Sequence, residues 1–252
     1  MRKMNDYLLD KFNKIEDTHW WWEGRRRLVK NLLRKRNVKR ILDVGCGTGE
    51  TLSFLNKLYP KAKLFGVDTS SKAVRMSKAR GHTKIFKAYA SNMPFRSNYF
   101  DTILFLDVLE HIKDDQSVIN EAKRVLKRGG VIIITSPGLS FIWSDHDVNQ
   151  GHKRRYTRRE IIRIAGNSGL KTVFIKYFNF WLSPPIIFIR LISRVGFFKF
   201  LVNYNNGINF EVVKIGPLNS ILRYIFVNEI ETLKYLTYPL GVSISAVLKK
   251  VK

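Results

Sequence analysis

Nine consecutive residues, Asp43-Val44-Gly45-Cys46-Gly47-Thr48-Gly49-Glu50-Thr51, have the types and spacing of a ligand-binding turn. They follow the apolar pair Ile41-Leu42 and precede the apolar-periodic Leu52, Phe54, Leu55 and Leu58. That pattern predicts strand, glycine-rich turn and helix. Glycines at 45, 47 and 49 let the chain turn tightly and let a ligand approach main-chain N–H groups without a Cβ in the way. A second apolar strand then ends in Phe65-Gly66-Val67-Asp68. A carboxylate roughly 20 residues beyond such a turn can accept hydrogen bonds from both ribose hydroxyls of a nucleoside-containing cofactor. The turn has no Gly-Lys-Ser/Thr ending for a nucleoside triphosphate, and Asp43 sits where a pyrophosphate would be repelled. An acid at that point suits a cationic or amino-bearing ligand.

Holding such a turn requires strands and helices in alternation, as in a parallel doubly wound sheet. The first strand is expected at 39–43 and the second at Lys63–Asp68, followed by a helix capped by Ser70 or Ser71 and ending near Gly81. Strand three is Lys84–Ala88 and strand four Phe100–Leu106, with a helix over Ser117–Leu126. Gly129-Gly130 leads into the continuous apolar run Val131–Thr135, typical of a buried parallel strand. Residues 137–156 read as a loop, Thr157-x-x-Glu160 as a capping box opening a helix to Asn167, and Lys171–Tyr177 as strand six. The last strand is expected at Val242–Leu248.

The string Ile41-Leu42-Asp43-Val44-Gly45-Cys46-Gly47-Thr48-Gly49, followed by Gly66-Val67-Asp68-Thr69-Ser70, resembles the class I S-adenosylmethionine (AdoMet) methyltransferases, and among them the quinone-biosynthesis group. The resemblance covers about residues 19–177 and the final strand. It implies a Rossmann-like, seven-stranded, mostly parallel sheet with an antiparallel last strand. It also assigns Asp43, Gly45, Cys46, Gly47 and Gly49 to the methionine part of AdoMet, and Asp68 with Thr69 to the ribose. After strand three the family has an acid and then Leu-Pro-Phe. This chain reads Ala88-Tyr89-Ala90-Ser91-Asn92-Met93-Pro94-Phe95, with Tyr89 in place of the acid that contacts the adenine amino group. Ala90, Asn92 and Met93 are then the adenine-side candidates, and Asp107, at the end of strand four, faces the cofactor.

Methyl transfer is an in-line displacement at a sulfonium methyl. The protein must align donor and acceptor, exclude water and remove a proton from a weak nucleophile. Candidates for the proton are His111, in Val108-Leu109-Glu110-His111-Ile112, and His146 and His152, in the 137–156 loop. Trp21, Trp22, Arg26, Trp143, Arg155 and Tyr156 are expected around the acceptor. Three consecutive tryptophans, Trp20-Trp21-Trp22, cannot all enter one core from a helix, so at least one should line a pocket, cap a cofactor or face a membrane interface. The Arg154-Arg155 pair could clamp a phosphate or carboxylate. Related O-methyltransferases of quinones and of RNA 3′ ends hold a divalent cation with an acid-x-x-Glu-His cluster. By resemblance the set here would be Asp107, Glu110, His111 and His146, although no metal is expected.

Between strands six and seven the resembled fold has a short connection, whereas this chain has residues 178–241. Their first half, 181–202, is apolar but carries Arg190, Arg194 and Lys199, which suits a helix lying in a membrane interface better than one spanning it. The chain of 252 residues divides into an N-terminal helical and aromatic lid (1–38), a core (39–177), an apolar basic insertion (178–241) and a final strand and tail (242–252). Lys and Arg number 45 against 20 Asp and Glu, a surplus that attracts lipid headgroups, phosphorylated substrates or nucleic acid. The single cysteine excludes an intramolecular disulfide and a cysteine-based zinc site and is compatible with a reducing cytoplasm. Residues 1–15 have no continuous apolar core of the kind a signal peptide needs.

The resulting expectation is a cytoplasmic AdoMet-dependent methyltransferase, peripheral at the membrane inner face, acting on a small lipid-like or lipid-linked anionic acceptor. The alternatives are an RNA methyltransferase and a non-catalytic binding module on the same fold.

Overall fold

The computed structural model describes residues 6–34, 36, 38–192 and 216–251. Two helices come first, α1 (Asp6–Ile15) and α2 (Trp20–Leu33). The alternating core follows as β1 (Arg40–Val44), α3 (Glu50–Leu58), β2 (Lys63–Asp68), α4 (Ser71–Ala79), β3 (Ile85–Lys87), β4 (Phe100–Leu106), α5 (Asp115–Val125) and β5 (Leu126–Pro137). Then come α6 (Asp145–Gln150), α7 (Arg158–Asn167), β6 (Lys171–Phe178), α8 (Ser183–Ile192), α9 (Pro217–Thr232) and β7 (Ser243–Lys249). The seven strands form one sheet in the order β3-β2-β1-β4-β5-β7-β6, with β7 antiparallel to both neighbours. This is the expected Rossmann-like sheet. The order reverses between β1 and β4, the place where open α/β sheets bind ligands outside their C-terminal ends.

The core follows from side-chain pattern. Leu42, Val44, Ile103, Phe105, Ile132 and Ile134 are buried on the central strands, as continuous apolar runs in parallel strands demand. Capping sets several helix starts. Ser70 accepts from the Ala73 N–H, Asp114 from the Ser117 N–H, and Thr157 and Glu160 form a reciprocal capping box. Asp114 therefore starts α5 two residues earlier than the apolar pattern suggested, and Leu126 belongs to the next strand. β5 is longer than the apolar run 131–135. Gly129, at φ +77°, carries it through an irregularity opposite Phe100–Thr102. The 137–156 segment, expected as a loop, contains α6 and a single 3₁₀ turn at Ser140–Ile142.

Outside the sheet, α2 packs on α9. Trp20, Leu28, Phe226 and Ile230 are buried there, with Trp21 stacked on Phe226 at 5.4 Å between ring centres. In the expected interfacial helix 181–202, α8 accounts for the first part, and 193–202 lie outside the described residues. Among the described residues no helix is long and apolar enough to cross a membrane.

Candidate active site

The C-terminal ends of β1, β4 and β5 open into a cavity of about 520 Å³. Its floor begins at the glycine turn. Gly45 and Cys46 donate to the Val67 carbonyl at 2.8 and 3.1 Å, which folds the chain back over β2. Gly45 has φ +73°, and a Cβ there would lie 2.6 Å from a Val108 methyl, so both conformation and space require glycine. Asp43, Gly45, Cys46 and Gly47 line the cavity. Asp43 is 3% exposed, and burial pushes its pKa up to about 7, against the pull of Arg25 and with a further push from Asp68 and Glu50.

Asp68 stands just behind this floor. Its two carboxylate oxygens accept from Gly47 N–H (3.0 Å) and Ser70 N–H (2.8 Å), so in this state it braces the turn. Burial raises its pKa, with the backbone hydrogen bonds opposing. Gly49, Thr69, Ala90, Asn92 and Met93 are not on the cavity wall. Met93 is buried in the core, its N–H held by Glu121 at 2.7 Å, and Asn92 and Tyr89 are exposed and bridge each other.

Asp107 is on the wall, at the end of β4, in the left-handed region at φ +59°. A non-glycine residue there is uncommon and marks a site worth explaining. The twist turns its carboxylate towards Thr135 Oγ1 (3.0 Å) and Arg25 Nη1 (3.0 Å). Arg25 was not singled out from sequence, yet it lines the cavity, and its Nε is buried without a hydrogen-bond partner. Helical spacing held the clue, because Trp21 and Arg25 are one turn apart and share a face.

Arg26, expected at the acceptor, lies elsewhere. Its guanidinium is on Glu50 at 2.7 Å and on the Glu16 and Asp17 carbonyls at 2.9 and 3.0 Å, clamping α2 to α1 and α3. Glu16 in turn accepts from Thr48 Oγ1 and Arg80, tying α1 over the turn. The tryptophans divide as anticipated: Trp20 and Trp22 are buried, Trp21 is half-buried, and all three touch the cavity.

The opposite wall comes from the segment before α7 and from α8. His111, His146, His152, Arg155, Ile186, Ile189 and Arg190 all face the cavity. Behind this wall is Asp147, fully buried, which sequence reading did not single out. One oxygen takes His152 Nδ1 (2.8 Å) and Arg155 Nε (2.9 Å), and the other takes Ser144 N–H (3.0 Å) and Arg190 Nη1 (3.2 Å). Despite burial, the hydrogen bond from His152 and the Arg155 charge hold its pKa well below the usual carboxylate range. Arg155 also donates to the Gly138 carbonyl, and Arg154 to Asp115 and the Lys113 carbonyl. Both arginines of the expected clamp are therefore committed inside the protein. Tyr156 is a core residue bonded to Asp115 at 2.6 Å, and neither it nor Trp143 lines the cavity.

The four residues named for a cation do not converge. Asp107 is held by Arg25 and Thr135, and the compact group is Glu110, His111 and His152, with donor atoms within 4.8 Å of one another. Burial, then the neighbouring Asp107 charge, drives Glu110 towards its protonated form. Its Oε2 accepts from Ser136, and its Oε1 is buried without a partner. Burial, then His152, lowers the His111 pKa to about 4, so that ring is neutral.

Comparison with known proteins agrees with this fold. Residues 42–134 match a family described as a methyltransferase domain. The demethylmenaquinone methyltransferase of Thermotoga maritima is 32% identical over 119 residues, covering 47% of this chain and 50% of that protein. The chain thus spans about half the length of the curated relatives it matches. Among solved structures, phosphoethanolamine N-methyltransferase 2 of Haemonchus contortus, with phosphomonomethylethanolamine and S-adenosylhomocysteine, superposes with a TM-score of 0.64 at 18% identity, covering all of this chain and 59% of that one. The complex of the Haloferax volcanii Trm112 methyltransferase activator with a methyltransferase gives 0.63 at 16% identity, covering 100% and 97%.

Proposed function

We propose that this chain, whose residues 42–134 match a methyltransferase domain, is a class I AdoMet-dependent methyltransferase that moves a methyl group from AdoMet to a lipid-like or lipid-linked anionic small molecule met at a membrane surface. The observation that carries the reading is the composition of the cavity at the C-terminal ends of β1, β4 and β5. A glycine turn with buried Asp43 and neighbouring Glu50 and Asp107 meets a greasy wall of Trp21, Ile186, Ile189 and Val242. Its volume of about 520 Å³ is of the size used for small organic ligands. Bound there, AdoMet supplies a methyl on a positively charged sulfur.

The carboxylates of Asp43 and Asp107 favour that charge. Arg25, on the cavity wall, takes the donor's own carboxylate, and the resemblance gives the ribose to Asp68 with Thr69, behind the floor. Ala90, Asn92 and Met93, which lie off the cavity wall, are the adenine side by the family resemblance alone. The helices α1 and α2 act as a lid, with Leu9, Phe12, Trp21 and Trp22 against the cavity. Of the 178–241 segment, α8 puts Ile186 and Ile189 against the acceptor.

A membrane surface is favoured by what α8 and α9 leave outside. Trp181, Phe188, Leu191, Leu218, Ile221 and Tyr224 are exposed, and in the described residues 181–192 and 216–228 the charged residue facing outward is Arg223, with no acid, because Arg190 turns inward to Asp147. Apolar and basic groups without acids suit an anionic interface. Co-sedimentation with vesicles containing phosphatidylglycerol, against neutral phosphatidylcholine and against RNA, tests this. Retention on the anionic vesicles is expected. Binding to RNA alone would replace the lipid acceptor with an RNA one, and failure to bind AdoMet in a calorimeter would remove the enzyme altogether.

A further inference from the structure

We propose that His152, oriented by Asp147, is the general base of the transfer and that the acceptor presents a hydroxyl, which is methylated on oxygen. This rests on the methyltransferase reading and adds the attacking atom. An ionised carboxylate can only accept, so the 2.8 Å contact with Asp147 places the His152 proton on Nδ1 and leaves the Nε2 lone pair for the cavity that the ring lines. The side chain of Asp147 is wholly buried and held from four directions, so the ring it holds has one orientation. His152 is fixed through the backbone as well, its N–H donating to the Asp147 carbonyl at 2.9 Å.

The surrounding groups narrow the nucleophile. His146 and Asp145 on α6, Arg155 and Lys153 beside the ring in sequence, Arg190 from α8, and Glu110 and His111 from the turn after β4 are the charged or titratable neighbours. The Asp147 charge is already shared by two arginines, and Glu110 is driven towards neutrality, so these two buried groups offer no free carboxylate to an ammonium. An amine carries its reactive lone pair without help once neutral, and a carboxylate needs no base at all. A ring carbon loses its proton only after its bond to the methyl has formed, whereas a hydroxyl must lose its proton as the new bond forms. In the step, the acceptor O–H gives its proton to His152 Nε2 while the oxygen forms a bond to the methyl carbon. The carbon–sulfur bond breaks with its electron pair going to sulfur, and the products are a methyl ether, a neutral thioether and an imidazolium that returns its proton to water.

The test incubates methyl-labelled AdoMet and the full chain with solvent-extracted lipid, RNA and small-molecule fractions of a lysate. Label is expected in a base-stable product that hydriodic acid cleaves to methyl iodide, as it does methyl ethers. His152→Gln should lower kcat/KM about 100-fold or more with AdoMet affinity unchanged within about twofold. Asp147→Asn should lower kcat with little change in KM, and nitrogen NMR of labelled histidine should show that the single Nδ1–H tautomer is lost. Asp147→Glu should restore part of both.

A labelled amine or base-labile ester, a His152→Gln enzyme at wild-type rate, or activity lost to chelator and restored by Mn²⁺ would each overturn the dyad alone. AdoMet binding with no labelled product in any fraction would overturn the methyltransferase reading along with it.

Discussion

Asp43, Gly45, Cys46 and Gly47 wall one part of the cavity from a single turn at the end of β1. His111, His152, Arg155, Ile186 and Val242 wall another from four separate stretches of chain. The first wall is built from backbone, and its side chains are small or absent because a ligand must lie against main-chain N–H groups. The second is built from long side chains that other side chains hold in place, with Asp147 behind them. A backbone-built wall needs particular residues at particular spacings. A side-chain-built wall can be assembled from anywhere, and its members are recognisable only by what they touch.

Adjacent residues on α2 give the strongest way to break this division. Arg26 belongs to the frame and Arg25 to the cavity, although both are arginines on one helix. The Arg26–Glu50 pair is 2.7 Å apart with both side chains 9% exposed. Arg26→Met would leave Glu50 buried and unpaired, an event that costs ~3–5 kcal/mol. Urea denaturation should register that loss, while AdoMet affinity of the folded fraction stays near wild type. Arg25→Met should do the reverse, weakening AdoMet about tenfold, the loss of one charge-assisted contact, with the midpoint little moved. If Arg25→Met proves the more destabilising and Arg26→Met the weaker binder, the two assignments must be exchanged.

That pair also shows how far the sequence was legible. Strand–turn–helix order, the glycine turn, the antiparallel last strand and the Thr157 capping box could be read from local pattern, because each is enforced within a few residues. The cavity side of α2 could not be read from composition, since Trp20-Trp21-Trp22 and Arg25-Arg26-Arg27 place aromatic and basic groups on every face. Arg155 and Tyr156 misled for a related reason. A basic-aromatic pair in a loop looks like a ligand clamp until its partners, Asp147 and Asp115, are seen to lie 8 and 41 residues away. Asp147 itself was hidden in a segment that looked like irregular loop but folds as α6.

A smaller effect separates the empty floor of the cavity from the loaded one. Asp43 titrates near 7 in the fold, whereas an unfolded aspartate does so near ~3.9. The unliganded fold therefore keeps a proton that the unfolded chain has released, and its stability falls as pH rises from about 4 to about 7. A sulfonium favours the ionised carboxylate, so AdoMet affinity runs the opposite way. It should rise by up to about tenfold per pH unit below 7 and level off above. Calorimetric titration between pH 5.5 and 8.5 checks this, and Asp43→Asn should flatten both trends. A wild-type affinity independent of pH would mean that the sulfonium sits away from Asp43.

The least effect is expected where the side-chain-built wall ends. Tyr156 is 1% exposed and donates to Asp115 at 2.6 Å; burial, then that carboxylate, pushes the phenol pKa up, so it remains a neutral donor. Asp115 also holds Arg154 at 2.6 Å. Tyr156→Phe thus removes one hydrogen bond without stranding a charge, which should cost ~1 kcal/mol in urea denaturation, against the several expected at Arg26. Methyl transfer should continue unchanged, because the ring packs beneath the cavity among Leu109, Ile161 and Leu248. A drop of more than about tenfold in turnover with stability intact would carry Tyr156 back to the acceptor. Asp115 would then become a second acid, beside Asp147, that holds a proton carrier in place.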